Sequence, residues 1–251
     1  MREVPYDDWA SYIAQIIIES FPNTNKPPQI LEQACGTGTL LKMLQSQFSQ
    51  IIALDYSPNM LRKANERYCQ NLILGSMTKL PFANNSFDFI YCTHDSINYL
   101  QSEENLQKHF EETHRILKPN GLYLTDISTE ANVIENFHGK KFKEKHNGWK
   151  VQWKNEYLPD ERIIISDLEF EISKDRLSEL GNEYLNSIYP KIKKRNKIIF
   201  QEQHRQKIFN ENVFKQLVSQ CKFSIQRVSA DYNDDKVMCE AQLNVYLMKK
   251  K

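Results

Sequence analysis

Two patterns of hydrophobic spacing alternate along the first half of the chain. Short apolar runs, typical of buried strands, alternate with segments in which apolar residues recur every three or four positions, as on one helix face. After a helix predicted over residues 7–20, strands are predicted in QILEQA, IIALD, NLILG, FDFIYC and LYLTDI, and helices in TLLKMLQSQF, SPNMLRKANERY and SEENLQKHFEETHRILK. This order predicts a parallel sheet covered by helices on both faces, which is a doubly wound α/β architecture.

The pattern changes after residue 130. Three segments, GWKVQWKNEYL, ERIIISDLEFEIS and KIIFQEQHRQKIF, indicate antiparallel strands, and the stretch KDRLSELGNEYLNSIYPKIKKRN before the third is partly helical and ends in a basic run. The α/β pattern then returns, with a helix in NENVFKQLVSQC and strands in KFSIQRVS and AQLNVYLMK. We therefore predict one α/β domain formed by residues 1–130 and 206–251, with residues 131–205 inserted as a small antiparallel β subdomain.

Charge and composition narrow the function classes. The chain has 33 basic and 32 acidic residues, which argues against nucleic acid as a partner. Its five cysteines include no C-x-x-C pair, so neither a zinc site nor a disulfide framework is indicated, and we predict no bound metal. The N-terminus has no signal-peptide pattern, and no apolar run reaches the roughly 18 residues of a membrane span. We expect a cytoplasmic protein without a membrane partner, either a monomer or a homodimer.

A glycine-containing loop leaves the first predicted strand. Gly36 and Gly38 are two of only seven glycines, and they stand where an open α/β sheet binds ligands and where glycine lets backbone approach closely. A dinucleotide site would need a third glycine where Leu41 stands. A nucleoside without phosphate remains possible, with Asp55 accepting hydrogen bonds from two ribose hydroxyls, and a plain tight turn is the alternative. The acids on either side of the loop, Glu32 and Asp55, favour the ligand.

Five motifs carry a specific resemblance. LEQACGTG, ALDYSPNML, LPFANNSFDFIYC, DSINYL and RILKPNGLYLTDI follow one another over residues 30–127, and in that order they resemble a class I S-adenosylmethionine-dependent methyltransferase. THDSINYL and FQEQH make the chain similar to a small-molecule branch, the amino-sugar N-methyltransferases, with an antiparallel β insertion after strand five. The resemblance implies a Rossmann-like sheet of seven mostly parallel strands with the last antiparallel, S-adenosyl-L-methionine as cofactor and S-adenosyl-L-homocysteine as product.

The same resemblance implies roles for individual residues. Ten of them are expected to surround the cofactor: Glu32 near the methionine amino group, Ala34, Gly36 and Gly38 through their backbone, Asp55 at the ribose, Tyr56 and Met60 beside the adenine, Ser76 and Met77 after strand three, and His94 near the sulfonium. Ser76 stands where the family usually has an acid, so it can accept a hydrogen bond from the adenine amino group only without charge. Tyr6 and Trp9 are expected to cover the site, and the alternative is that the site is more open.

The methyl acceptor must be aligned and must lose a proton. Alignment contributes about 7–11 kcal/mol and a general base about 10²–10⁴-fold. His204 and Glu202 share one face of a predicted strand, and with Asp95, which could orient an amine, they are the catalytic candidates; a surface position is the alternative for His204. His94 is a second candidate base. Solvent exposure is expected for the remaining histidines, His109, His114, His138 and His146.

These features predict transfer of a methyl group to a small molecule, with an amine nitrogen as acceptor. An RNA or protein methyltransferase that docks through the basic run at 190–197 is one alternative, although the N/D-P-P-Y motif for base amines is absent. A non-catalytic cofactor-binding module is another. The aromatic residues of the insertion either line a substrate pocket or form the core of the small sheet: Trp149, Trp153, Tyr157 and Phe170.

Overall fold

The computed structural model describes residues 4–22, 26–146, 149–173, 192–194 and 197–251. Its strands are β1 Ile30–Gln33, β2 Ile51–Asp55, β3 Leu72–Leu74, β4 Phe87–Cys92, β5 Leu117–Ser128, β6 Lys141–His146, β7 Trp149–Leu158, β8 Ile163–Ser173, β9 Ile192–Lys194, β10 Lys197–Lys207, β11 Phe223–Ala230 and β12 Leu243–Lys250. Its α-helices are α1 Tyr6–Ser20, α2 Thr39–Gln45, α3 Pro58–Glu66, α4 Glu103–Ile116, α5 Glu130–Asn132 and α6 Glu211–Gln220.

The chain divides into two compact units. One runs from Glu130 to Ile208, and the other contains the described residues before and after that segment. None of the helices in the described ranges is long and apolar enough to cross a bilayer.

The larger unit contains a seven-stranded sheet in the order β11-β12-β5-β4-β1-β2-β3. β12 is antiparallel to β5 and to β11, and the remaining pairs are parallel. The predicted α/β class and the antiparallel last strand are therefore confirmed. All four residues of β1 are buried, as expected for a strand with covered faces on both sides.

Two apolar cores fill the two faces of this sheet. Successive residues of β4 alternate between them, since Phe89 belongs to one core and Ile90 to the other. The first core includes Ile13 and Ile17 of α1, and the second includes Phe110 of α4. The helices predicted from 3.6-residue periodicity thus bury the apolar faces from which they were predicted.

Local chemistry sets where the helices begin. The Ser57 hydroxyl accepts the backbone N–H of Met60 at 3.3 Å, with Pro58 as the first helical residue of α3. The Ser102 hydroxyl accepts the N–H of Asn105 at 3.1 Å in α4. The two serines are the first residues of the predicted helical segments SPNMLRKANERY and SEENLQKHFEETHRILK.

The inserted unit contains a second sheet, entirely antiparallel, in the order β6-β7-β8-β10-β9. The three predicted strand segments form β7, β8 and β10. Two strands were not predicted, and β6 was missed because its sequence KFKEKH is dominated by lysine, which is common on edge strands. Most of the partly helical segment expected over 174–196, and with it much of the basic run at 190–197, lies outside the described residues.

Candidate functional site

The loop from Ala34 to Gly38 connects the carboxyl end of β1 to α2. Ala34, Gly36 and Gly38 all have left-handed backbone, with φ of 56°, 55° and 73°. The Cys35 N–H donates to the Leu54 carbonyl at 3.1 Å, which fixes the loop against the end of β2. This places the loop at the strand edge where α/β sheets bind ligands.

The two loop glycines have different reasons to lack a side chain. A Cβ built on Gly36 would meet no atom within 4 Å, so it would project into open space. A Cβ on Gly38 would lie 2.6 Å from Cys69 Sγ and 3.0 Å from Ala64 Cβ, both of which pack against the loop. Gly38 therefore has a packing role that the sequence did not reveal. Of the two glycines, only Gly36 would direct a side chain into free space.

Asp55, at the end of β2, ties two loops together. One carboxylate oxygen accepts the Gly36 N–H and the other accepts the Ser57 N–H, each at 2.8 Å. A carboxylate oxygen has more than one lone pair, so both oxygens can each accept a further hydrogen bond. Asp55 is therefore held in place beside the glycine loop with capacity left for a diol.

Glu32 is a buried carboxyl group whose Oε2 has no hydrogen-bond partner; the side chain is 3 % exposed. Burial is the main cause that raises the pKa of Glu32 to about 8; the Asp55 carboxylate adds to the rise, and the Tyr91 hydroxyl opposes it. The Tyr91 hydroxyl is also buried without a well-oriented partner. An orphaned carboxyl group in this position fits an ammonium group, which would supply the missing donor and charge.

Two large side chains are exposed beyond the end of β2. Tyr56 is 80 % exposed and Met60, in the first turn of α3, is 44 % exposed. Both side chains are therefore accessible from solvent. Ser76 is already engaged, since its hydroxyl accepts the Thr78 N–H at 3.2 Å and lies 2.9 Å from the Thr78 hydroxyl.

His109 corrects the expectation that it would be exposed to solvent, because it is fully buried. Its Nδ1 lies 3.2 Å from the carbonyl oxygen of Met77 and its Nε2 lies 2.7 Å from the Tyr123 hydroxyl. Burial lowers the pKa of His109 to about 4, so the ring is neutral and can donate to the carbonyl while it accepts from the hydroxyl. It supports the Met77 loop from inside the protein.

The chain turns sharply after β4. His94 and Asp95 both have left-handed backbone, with φ of 60° and 47°. Their N–H groups donate to the two carboxylate oxygens of Asp126 on β5, at 2.8 and 2.6 Å. The imidazole of His94 keeps an exposed edge, and the protein packed around it lowers its pKa.

Two aromatic residues of α1 contact His94. The Tyr6 hydroxyl lies 3.4 Å from Nδ1, and the Trp9 ring meets the imidazole edge-on with centroids 5.5 Å apart. The first helix therefore packs over the turn after β4, where the sequence predicted a cover.

The other catalytic candidates belong to the inserted unit. His204 and Glu202 lie on β10, with Nε2 and Oε2 3.5 Å apart, and both side chains are partly exposed. Facing residues of antiparallel strands project to the same side, so they share a face with Leu168 and Ser166 of β8. Gln203 projects to the opposite face and donates to Asp167 at 2.9 Å.

The structure thus brings the cofactor candidates and Asp95 together at one edge of the large sheet, and it places His204 and Glu202 in the second unit. Sequence reasoning missed Asp126 and Tyr232, whose hydroxyl donates to Asp126 at 2.5 Å. The available signal was a charged residue, aspartate, in the mostly apolar strand segment LYLTDI. In the described ranges, no cluster of three or more His, Cys, Asp or Glu residues could hold a metal ion.

Comparison with known proteins decides the activity. Residues 31–125, which include the glycine loop, Asp55 and the turn after β4, match the family model described as a methyltransferase domain. The protein is an S-adenosylmethionine-dependent methyltransferase. Its cofactor is S-adenosylmethionine.

Similarity extends beyond the matched segment. The methyltransferase is 24 % identical to YqeM of Bacillus subtilis (strain 168), whose name describes a methyltransferase, over 96 % of this chain and 89 % of that protein. A S-adenosylmethionine-dependent methyltransferase from Clostridium acetobutylicum superposes with a TM-score of 0.79 at 21 % identity, covering 99 % of this chain and 93 % of that one. The sugar N-methyltransferase KedS8 from Streptoalloteichus sp. gives 0.75 at 14 % identity, covering 100 % and 90 %. At these identities the two structural likenesses concern the fold.

Proposed function

We propose that this methyltransferase acts on an amine nitrogen of a small, polar acceptor, and that residues 131–205 bind the acceptor. The observation that carries the acceptor class is the mixed face of the inserted sheet. Aromatic and polar side chains share that face: Trp153 stands opposite Leu168, and Asn155 stands opposite Ser166. Apolar walls with a few fixed polar groups are typical of small-molecule sites.

Asn155 supplies the strongest sign of a polar acceptor. Its side chain is 4 % exposed, and its Oδ1 accepts from the Ser166 hydroxyl at 2.6 Å while its Nδ2 has no partner. A buried amide donor without an acceptor costs free energy, which a hydroxyl or ring oxygen of a bound molecule would recover. A sugar carries both kinds of oxygen. The likeness to the sugar N-methyltransferase KedS8 over the whole chain is compatible with this acceptor.

On the cofactor side, the described geometry suits the parts of S-adenosylmethionine, which supplies an electrophilic methyl group when bound. Glu32 would accept hydrogen bonds from the methionine ammonium, and Asp55 from the two ribose hydroxyls. The adenine would lie against Tyr56 and Met60, with Ser76 and Met77 at its amino edge. The backbone of Ala34, Gly36 and Gly38 would pass close to the methionine portion, with the ring of His94 beside the sulfur.

The proton of the acceptor requires a base. An amine is protonated near neutral pH, and only its neutral form has a lone pair with which to attack a methyl group. His204 can take that proton at Nε2, and Glu202, 3.5 Å away, would stabilise the resulting imidazolium. Asp95 would orient the amine by accepting a hydrogen bond from one of its N–H groups.

A labelled-methyl assay tests the proposal. S-adenosylmethionine with a labelled methyl group is incubated with amino sugars, free and nucleotide-linked, each beside its hydroxyl counterpart, and with total RNA. We expect label on the amines. In His204→Gln, kcat should fall about 10²–10⁴-fold while affinity for S-adenosylhomocysteine is retained. Gln203→Ala, on the opposite face of the same strand, is the matched control and should stay within about twofold.

Each other outcome has a definite meaning. Label only on the hydroxyl counterparts would show that the enzyme methylates oxygen and not nitrogen. Label only on RNA would overturn the small-molecule acceptor. Full activity of His204→Gln on an amine would remove that residue from the mechanism.

A further inference from the structure

We infer that Asp126 is a positioning residue: it fixes the backbone turn that places His94 and Asp95 at the reacting methyl group. The inference rests on the proposed roles of those two residues. Asp126 itself touches neither cofactor nor acceptor in this proposal, and acts through the turn.

The turn needs an external support. Two consecutive residues other than glycine have left-handed backbone, and each such residue costs on the order of 1 kcal/mol or more. Strain of this kind persists only where surrounding contacts hold it, and it clusters at functional sites. The support here is the Asp126 carboxylate, which accepts the N–H of His94 at 2.8 Å and of Asp95 at 2.6 Å.

Burying a carboxylate at this position costs free energy. Asp126 is fully buried, and burial raises its pKa to about 6, although four hydrogen bonds, from the Tyr232 hydroxyl and three backbone N–H groups, oppose the rise. The uncharged titratable groups around the Asp126 carboxylate are the Cys92 thiol, the Tyr123 and Tyr232 phenols and the His94 ring. The Asp95 carboxylate is the one charged group among these neighbours. No lysine or arginine neutralises Asp126 among the contacts described for it. A buried carboxylate without a cationic partner is expected where it fixes a particular backbone conformation.

Asp126 also links the turn to the first helix. The Tyr232 hydroxyl donates to Oδ2 of Asp126 at 2.5 Å, and the Tyr232 ring stacks on Trp9 at 4.6 Å. Trp9 in turn meets the edge of the His94 ring. One carboxylate therefore holds the backbone of His94 directly and its side chain through two aromatic rings.

Asp126→Asn tests this role. The amide has nearly the same shape but only one oxygen, so one of the two turn N–H groups loses its acceptor. The matched control is Asp88→Asn, which alters a carboxylate that accepts the Gln29 N–H at the opposite end of β4. Tyr232→Phe removes the third donor and should produce a smaller change than Asp126→Asn.

Three measurements are compared. In Asp126→Asn we expect amide hydrogen exchange at His94 and Asp95 to accelerate about tenfold or more. The His94 ring, followed by its NMR shift against pH, should titrate at higher pH than in the wild type, because it leaves its packed position. With the best amine of the labelled-methyl assay, kcat should fall about 10–100-fold while the KM for S-adenosylmethionine stays within about threefold. Asp88→Asn should change none of these.

The first two measurements need neither cofactor nor acceptor, so they judge Asp126 even if no amine takes label. Unchanged exchange and unchanged His94 titration would show that Asp126 does not hold the turn. Faster exchange with an unchanged kcat would show that the turn does not position the reaction. An equal loss in Asp88→Asn would reduce the effect to general stability. Any of these three results overturns the inference.

Discussion

Glu32 is an acid that the fold keeps poorly solvated. Its buried Oε2 has no hydrogen-bond partner, and its pKa is raised to about 8, mainly by burial. A group with a raised pKa holds its proton in the folded chain after the unfolded chain has released it. The free protein therefore loses stability as the pH rises from about 4.5 towards about 8, by up to about 1.4 kcal/mol per pH unit.

Binding of the methionine ammonium beside Glu32 should release this proton. Near pH 7 the free carboxyl is mostly protonated, and a neighbouring positive charge favours its ionised form. Calorimetry with S-adenosylhomocysteine in buffers of different ionisation enthalpy should show release of close to one proton, with affinity that rises up to about tenfold per pH unit below pH 8. Glu32→Gln should bind more weakly and release none. Equal proton release by that variant would refute the assignment.

Gly36 and Gly38 differ by the direction in which a side chain would point. An alanine at Gly38 would meet Cys69 and Ala64, so Gly38→Ala should lower stability by about 1–3 kcal/mol. Gly36→Ala meets no protein atom, and its stability should fall by only about 1 kcal/mol from the left-handed backbone. Its affinity for S-adenosylhomocysteine should fall more than that of Gly38→Ala. Denaturant unfolding and calorimetry on both variants measure the contrast; the reverse order of affinities would contradict it.

Two helices of the large unit, α3 and α4, begin with the same serine cap at different places in the fold. In α3 and α4 a serine hydroxyl accepts the backbone N–H three residues on. The first of these serines fixes Met60, an exposed candidate for contact with adenine, whereas the second fixes Asn105. The cap is the same in both helices, and only the position of α3 next to the carboxyl end of β2 makes its cap a candidate for a role in binding.

Ser57→Ala and Ser102→Ala should therefore separate stability from binding. Each loses one capping hydrogen bond, so each should lower the free energy of unfolding by about 1 kcal/mol. Ser57→Ala should in addition weaken binding of S-adenosylhomocysteine by about two- to fivefold, because the first turn of α3 loosens around Met60. Thermal unfolding and calorimetry test both variants. Equal affinities would mean that Met60 does not depend on this cap.

At the scale of the whole molecule, the two units have very different cores. The large unit buries two extensive apolar clusters, one on each face of its sheet. In the inserted unit, the described cluster contains Val133, Tyr157, Ile164 and Ile208, with Phe137 packed against it. Local stability follows buried apolar contact, so the inserted unit should open more readily.

Native-state hydrogen exchange should show that difference. Peptides from β7, β8 and β10 should exchange about tenfold or more faster than peptides from β1, β4 and β5. Tyr157→Phe removes the 2.5 Å hydrogen bond to Glu130 and should accelerate exchange in the inserted unit alone. Uniform protection across the chain would contradict this picture.

The sequence alone determined what depends on neighbours along the chain. Strand and helix periods, the capping serines and the glycine loop between Glu32 and Asp55 are local patterns, and they were sufficient for the α/β class and most of the strands. The cofactor came from the resemblance carried by the five motifs over residues 30–127. β6 was missed because lysines on an edge strand give no apolar alternation.

Only the tertiary structure decided what depends on residues far apart in the sequence. His109 is buried because a carbonyl and a phenol from other elements satisfy both ring nitrogens. Gly38 is required by Cys69 and Ala64, thirty-one and twenty-six positions further on. The strained turn after β4 exists because Asp126, from the next strand, lies where two N–H groups converge. No local pattern encodes such contacts, since a side chain's partner is set by how the elements pack.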